Sequence, residues 1–297
     1  MKQLIVCLLL LCSTASAKDI KLIVPYSPGG PVDRISRILA NTLNNKDYTF
    51  IVDYKLGGGG TVATKSLIAT KNETAFMVIS NGVTIAPLIN PGVDYDSVKD
   101  VNLVHYIGSE ALVLVVKNDG FINTFKEFQM AAKAYRMPYG SSGVGSSGHL
   151  FGAVVAGTNP NFIHVPYKGA AAATVDLLGN NIKWLIDSDT EQSELIAGGK
   201  TRPIAVYANT RLKKYPDVPT VKELGINDYG VYRYYILLSN TAADPRILAY
   251  VKSRLADPAI EQQIKDLGID TAQPVARNFL QSDRNSVRAV LKHVNLQ

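Results

Sequence analysis

The chain has 297 residues, 46% of them hydrophobic and 19% charged, with a formal net charge of +6. That length supports one large or two medium domains around a substantial core. The cations are spread without any long run of one sign, so no clustered basic face of a nucleic-acid binder is evident, and a mild positive field suits a small anion.

The amino terminus runs from Lys2 through the apolar block Leu4 to Leu11 to Ala15-Ser16-Ala17, the pattern of a secretory signal peptide cleaved after Ala17, with export to the periplasm. The apolar block is far shorter than the roughly 20 residues that span a bilayer. Cys12 raises a lipoprotein alternative, but the preceding Leu11 stands where lipid attachment wants a small residue. Both cysteines, Cys7 and Cys12, lie inside this leader, so the exported chain is expected to hold no disulfide and no thiolate metal site.

Short apolar runs then alternate with helical stretches: strand Leu22 to Tyr26, helix from Pro31, strand Thr49 to Asp53, helix from Thr61, strand Ala75 to Ser80. Such alternation predicts a parallel sheet with crossover helices. Gly30 and Pro31 mark the first helix start, and Val32, Ile35, Leu39 and Leu43 form its apolar face. A β-rich stretch from Leu103 to Val116 follows, interrupted only at Gly108, Ser109 and Glu110. A second set then begins: helix from Thr124, strand Met137 to Gly140, helix from Ser147, strand Phe162 to Val165, helix Ala170 to Leu178, and strands Ile182 to Ile186 and Arg202 to Tyr207. After another β-rich segment, Gly230 to Leu238, the tail is helical, with Asp244-Pro245 and Asp257-Pro258 each supplying an N-cap and a proline at the first helical position. The tail is expected to return to the first lobe. The predicted fold class is α/β, with two lobes, a mostly parallel central sheet in each, and a ligand cleft between them. The expected domains are a signal peptide 1–17, a discontinuous first lobe 18–117 plus 231–297, and a second lobe 118–230.

The stretch GSSGVGSSGHL at 140–150 holds a formal dinucleotide fingerprint at Gly143, Gly145 and Gly148. The ribose-binding acid that the fingerprint needs roughly 20 residues on is missing, since the next acid is Asp176. A phosphate loop would need a lysine after its last glycine, and Ser146-Ser147 stand there. What remains is a glycine turn beside serine hydroxyls at a helix start, which presents free N–H groups to a carboxylate or phosphate. An ordinary turn capped by Ser146 or Ser147 remains open.

Tyr26-Ser27-Pro28-Gly29-Gly30 repeats the pattern in the first lobe, and Gly57-Gly58-Gly59-Gly60-Thr61 is a third glycine turn. Ligands in open α/β sheets sit beyond the carboxyl ends of strands, so two donor loops facing across a cleft suit a ligand with an anionic group at each end. Asp33 either complements its own helix dipole or joins the site. Asp187 ends a strand and either accepts from the ligand or caps the next helix, and Tyr167 with Lys168 stands at another strand end. The four histidines show no metal spacing. Neither a catalytic constellation nor a cofactor site is evident.

The stretches IVPYSPGGPVDRISRIL, YDSVKDVNLVHYIGSEALVLVV, YGSSGVGSSGHL, HVPYKGAAAATVDLLGNNI and AVYANTRLKKYPDVPTVKELG, with the tail through DPAIEQQIKDLGID, span nearly the whole exported chain. They resemble the periplasmic solute receptors of tripartite tricarboxylate transporters, the Bordetella uptake gene family. The resemblance implies a type 2 periplasmic-binding-protein fold that closes on a small organic acid and delivers it to integral-membrane permease subunits. It also implies that Ser27 to Gly30 contact one carboxylate, that Ser141, Ser142, Ser146 and Ser147 hold the other, and that Ser80 and Asp187 complete the pocket. The chain departs from the family pattern at Asp53-Tyr54-Lys55 and at Lys71-Asn72-Glu73-Thr74. The expectation is a non-catalytic, monomeric receptor. The alternatives are an amino-acid or oxyanion receptor of an ATP-driven importer, or a receptor that signals when loaded.

Overall fold

A computed structural model describes residues 17–227, 232–271, 276, 278–294 and 296. The leader expected over 1–17 lies outside them except for its last residue, as does part of the late crossover, 228–231.

The first half of the chain forms β1 (Lys18–Val24), α1 (Pro31–Leu43), β2 (Tyr48–Tyr54), α2 (Thr61–Ala69), β3 (Ala75–Ile79), α3 (Gly82–Ile89) and β4 (Val101–Glu110). Next come β5 (Leu112–Lys117), α4 (Phe125–Ala134), β6 (Met137–Ser141), α5 (Ser147–Ala156), β7 (Phe162–Pro166), α6 (Ala170–Leu178), β8 (Trp184–Ser188), α7 (Asp189–Ala197) and β9 (Thr201–Tyr207). The chain closes with β10 (Arg233–Asn240), α8 (Pro245–Leu255), α9 (Pro258–Asp266) and α10 (Phe279–Leu291).

These strands build two five-stranded sheets with matching topology, β2-β1-β3-β10-β4 and β7-β6-β8-β5-β9. In each, three parallel strands adjoin an antiparallel strand and then an antiparallel edge. Strands β3 and β10 are buried along their whole length. Helices cover both faces of the first sheet, so the central strands read as unbroken apolar runs. The sheet membership of β5 corrects the expected boundary. Leu112 to Lys117 pair with β8 and β9, so the chain leaves the first sheet at Ala111 and not after residue 117. Gly108 does not interrupt β4: a Cβ there would lie 2.6 Å from the Asp270 carbonyl oxygen, and its role is to let that backbone pass.

The helix caps follow local chemistry. Pro31 opens α1, and the Asp244 and Asp257 side chains accept from the Arg246 and Ala259 N–H groups. Helices α8 and α9 pack on the first sheet, as expected, through Ile247, Val251, Leu255, Ile260 and Ile264. Helix α10 packs on α3 of the same lobe. Its Phe279 and Leu280 join a first-lobe core, and Val287 and Val290 share with Ile85 of α3 a cluster that continues into the second lobe. No helix among the described residues is long and apolar enough to cross a membrane.

Candidate functional site

The turn from β1 into α1 uses Gly29 at φ +95°, a conformation glycine adopts at no steric cost. Its N–H donates to Asp33 Oδ2 at 2.8 Å. Asp33 also accepts from Arg37 at 3.0 Å and 3.1 Å and from Tyr54 at 2.5 Å. Burial pushes its carboxyl up, but the Tyr54, Gly29 and Arg37 hydrogen bonds outweigh it and hold the group below its ordinary value. Asp33 thus complements the helix start and occupies the Gly29 N–H, while its side chain also lines the cleft.

The second donor loop is likewise satisfied largely from within. The Gly143 N–H donates to Ser141 Oγ at 3.2 Å, the Gly145 N–H to His149 Nδ1 at 3.3 Å and the Ser146 N–H to the Gly143 carbonyl at 3.1 Å. Ser146 caps α5 by accepting from the His149 N–H. These glycines are explained by contact across the cleft. A Cβ on Gly143 would lie 2.9 Å from Gly59 N, and one on Gly145 would lie 2.8 Å from the Ala86 Cβ. Conversely, a Cβ on Gly59 would meet the Val144 carbonyl oxygen at 2.5 Å. The third glycine turn of the first lobe docks directly on the serine-glycine loop of the second.

Behind that loop the His149 and His164 rings stack at 3.8 Å, 13° from parallel, and His164 Nε2 lies 2.6 Å from Ser141 Oγ. Burial lowers His149 to about 4 and His164, with help from the His149 charge, to about 3. In the unfolded chain both would titrate near 6.5, so on acidification the unfolded state takes up protons first. Stability from this pair is complete above pH ~6.5 and falls as pH drops toward 4, by on the order of 3 kcal/mol for His149 alone. Urea unfolding at pH 7.5 and 4.5 should show this loss, and His149→Asn should flatten it; an equal pH slope in both proteins would show that His149 is not its source.

Residues of both lobes line two adjoining spaces in the cleft. One is bounded by Tyr26, Ser27, Gly30, Asp33, Ser142, Glu191 and Arg233, the other by Ser141, Ser142, Gly148, Asp187 and Arg233, among others. Their volumes, about 30 Å³ and 10 Å³, hold on the order of one or two waters, so a solute enters only if the lobes part or a wall side chain moves.

The structure thus brings together Tyr26, Ser27, Gly30, Asp33, Ser141, Ser142 and Asp187 of the expected set. Ser80 stands behind Tyr26, 3.3 Å from its hydroxyl. Tyr167 donates to Asp176 at 2.6 Å, and Gly29, Ser146 and Ser147 do not bound the two spaces.

Arg233 and Glu191 were not foreseen. Arg233, at the start of β10, lies 3.3 Å from Glu110 Oε1 and 3.4 Å from Asp187 Oδ1 and lines both spaces. Glu191, in the first turn of α7, presses Oε1 toward Gly30, where a Cβ would lie only 2.6 Å from it. Burial and the Asp187 charge push the Glu191 carboxyl well up. A signal for Arg233 was its place as the lone cation in RYYILLSN, a run buried at every position. Glu191 was hidden because Ser188-x-x-Glu191 reads as a helix cap, and Ser188 Oγ does accept the Glu191 N–H.

Two α/β lobes, two crossings and a polar cleft floored by the returning strand define a periplasmic-binding-protein fold. Residues 35–296 match the family model described as tripartite tricarboxylate transporter family receptor, and the chain belongs to that family of solute receptors. It is 27% identical over 251 residues to protein BugT of Bordetella pertussis, covering 82% of this chain and 76% of that one. The solved structure of the periplasmic binding protein BugD is 24% identical with a TM-score of 0.78, covering 92% of this chain and 94% of that one. Malate-bound MatC of Rhodopseudomonas palustris is 19% identical with a TM-score of 0.80, covering 93% and 99%. The homologues are periplasmic binding proteins, and the family is one of receptors.

Proposed function

We propose that this chain captures a small carboxylate-bearing solute between its lobes in the periplasm and hands it to integral-membrane permease subunits. The observation that carries the reading is the cleft itself, walled by the Tyr26–Gly30 turn on one side and Ser141, Ser142 and Asp187 on the other, with Arg233 at its floor. Gly29, Ser80, Ser146, Ser147 and Tyr167 hold these walls from behind. The two lobes comprise residues 18–110 with the described residues from 232 onward, and residues 112–227, and one crossing between them is at Ala111. The mature protein begins after Ala17, acts as a monomer without cofactor or nucleic acid, and catalyses no reaction. That MatC binds malate supports a carboxylate in this chain.

Binding of this kind stabilises the folded state by about 2.7 kcal/mol at a hundredfold excess over Kd, and each kcal/mol shifts the melting temperature by roughly 2–4 °C at this chain length. L-malate and other small acids should be screened by thermal shift, with native mass spectrometry of the purified protein. A melting rise of about 5–10 °C with at least one acid is expected on that scale; no rise with any acid and no retained solute would refute the reading.

A further inference from the structure

Three acidic side chains gather on one guanidinium at the floor of the cleft. Glu110, Asp187 and Glu191 surround Arg233, the one cation lining either space among the described residues. Two of those acids already share its guanidinium, with contacts of 3.3 Å to Glu110 and 3.4 Å to Asp187. Asp187 is further held by Gln192 Nε2 at 3.2 Å, and Glu110 accepts from Ser188 at 2.7 Å as well as from Tyr235 and Thr190. Both are spoken for. Glu191 is not: its Oε2 is wholly buried and has no hydrogen-bond donor. Its Oε1 lies toward Gly30, at the α1 start where one end of the solute was expected.

A buried carboxyl without a donor is costly unless something supplies a proton or a cation. The neighbouring Asp187 charge makes a lone carboxylate there worse, and pushes the group toward its protonated form. Among the described residues no cluster of three or more acids or histidines is arranged to hold a metal ion. In the solute-free protein the missing partner is a proton shared with Asp187, which a stronger cationic donor brought by the solute can replace. A second solute carboxylate at this end would face Glu191 and Asp187 directly, whereas an ammonium would donate to both.

We propose that Glu191 sets the specificity of the cleft, selecting a solute with a carboxylate at one end and an ammonium at the other over the dicarboxylate of the same length. The solute carboxylate lies toward Ser142 and Arg233, and its ammonium lies between Glu191 and Asp187. The inference rests on the receptor reading above and narrows its substrate class.

Three isosteric pairs test it by titration calorimetry: 3-aminopropanoate against succinate, 4-aminobutanoate against glutarate, and 5-aminopentanoate against adipate. In the wild-type protein the amino acid of the pair that fits should bind at least tenfold more tightly. Glu191→Gln and Glu191→Ala should shrink that ratio by tenfold or more while melting cooperatively, which shows that they are folded. A wild-type preference for the dicarboxylate, or a ratio unchanged in both variants, overturns the inference and leaves the receptor reading standing if L-malate or another acid still binds. No binding by any of the six probes also overturns it, and if every other acid fails too, the receptor reading falls with it.

Discussion

Replacing Arg233 by methionine should destabilise the solute-free protein by about 3–5 kcal/mol. The guanidinium is 9% exposed, and its partners Glu110 and Asp187 are 1% and 5% exposed. Removing it leaves two carboxylates in a site that water barely reaches. Truncating one member of a buried ion group costs far more than the group contributes over an apolar replacement, because the surviving charges keep their desolvation penalty. The two acids also come from different places: Glu110 ends β4 of the first sheet, and Asp187 stands in β8 of the second. Arg233 thus ties the lobes together at the floor of the cleft.

Lysine should not rescue the loss. A single ammonium cannot present two separate N–H edges to Glu110 and Asp187 as the planar fork does. Adding Glu110→Gln to Arg233→Met should recover part of the stability, since it removes one of the stranded charges. Chemical denaturation of the three proteins measures this. If Arg233→Met unfolds at the wild-type midpoint, the guanidinium is a ligand contact only and does not support the cleft.

Much of the architecture was legible because its causes are local. Proline after glycine or aspartate marked the starts of α1, α8 and α9, and the apolar spacing of Val32, Ile35, Leu39 and Leu43 described a face that is buried. The lobe assignment of β5 was not legible, since Leu112–Lys117 reads as an apolar strand whichever sheet receives it, and pairing with residues some 70 to 90 positions away decides the matter. The site shows the same division. The turns carrying Ser27 and Ser141 could be placed from strand ends alone. Asp187 could be placed the same way, but its partners Arg233 and Glu191 could not, because the cluster assembles across two sheets from segments that each look ordinary. The loop at 140–148 was misleading for a subtler reason. A glycine that exposes its N–H to an anion and a glycine that lets a neighbouring backbone approach are the same residue in sequence, and Gly143 and Gly145 are of the second kind.

That distinction gives the second large expected effect. Gly145→Val should reduce solute affinity at least a hundredfold while leaving secondary structure intact. Two costs combine at this position. At φ +86° any L-residue is strained by roughly 1–2 kcal/mol, and a β-branched one by more. A Cβ there would also lie 2.8 Å from the Ala86 Cβ and 2.9 Å from its Cα, in helix α3 of the other lobe. The strain acts in open and closed forms alike, but the clash exists only when the lobes meet, so it acts on closure. Gly120 separates the two effects: it has φ +84°, and a Cβ there would find nothing within 4 Å. Gly120→Val should therefore share the loss of stability and keep its affinity. Small-angle scattering should show a larger radius of gyration for Gly145→Val than for Gly120→Val, because helix α3 can no longer seat against the loop. Equal radii and equal affinities in the two variants would mean that the glycine contact between Gly145 and Ala86 does not govern closure, and that the loop opens and shuts by another route.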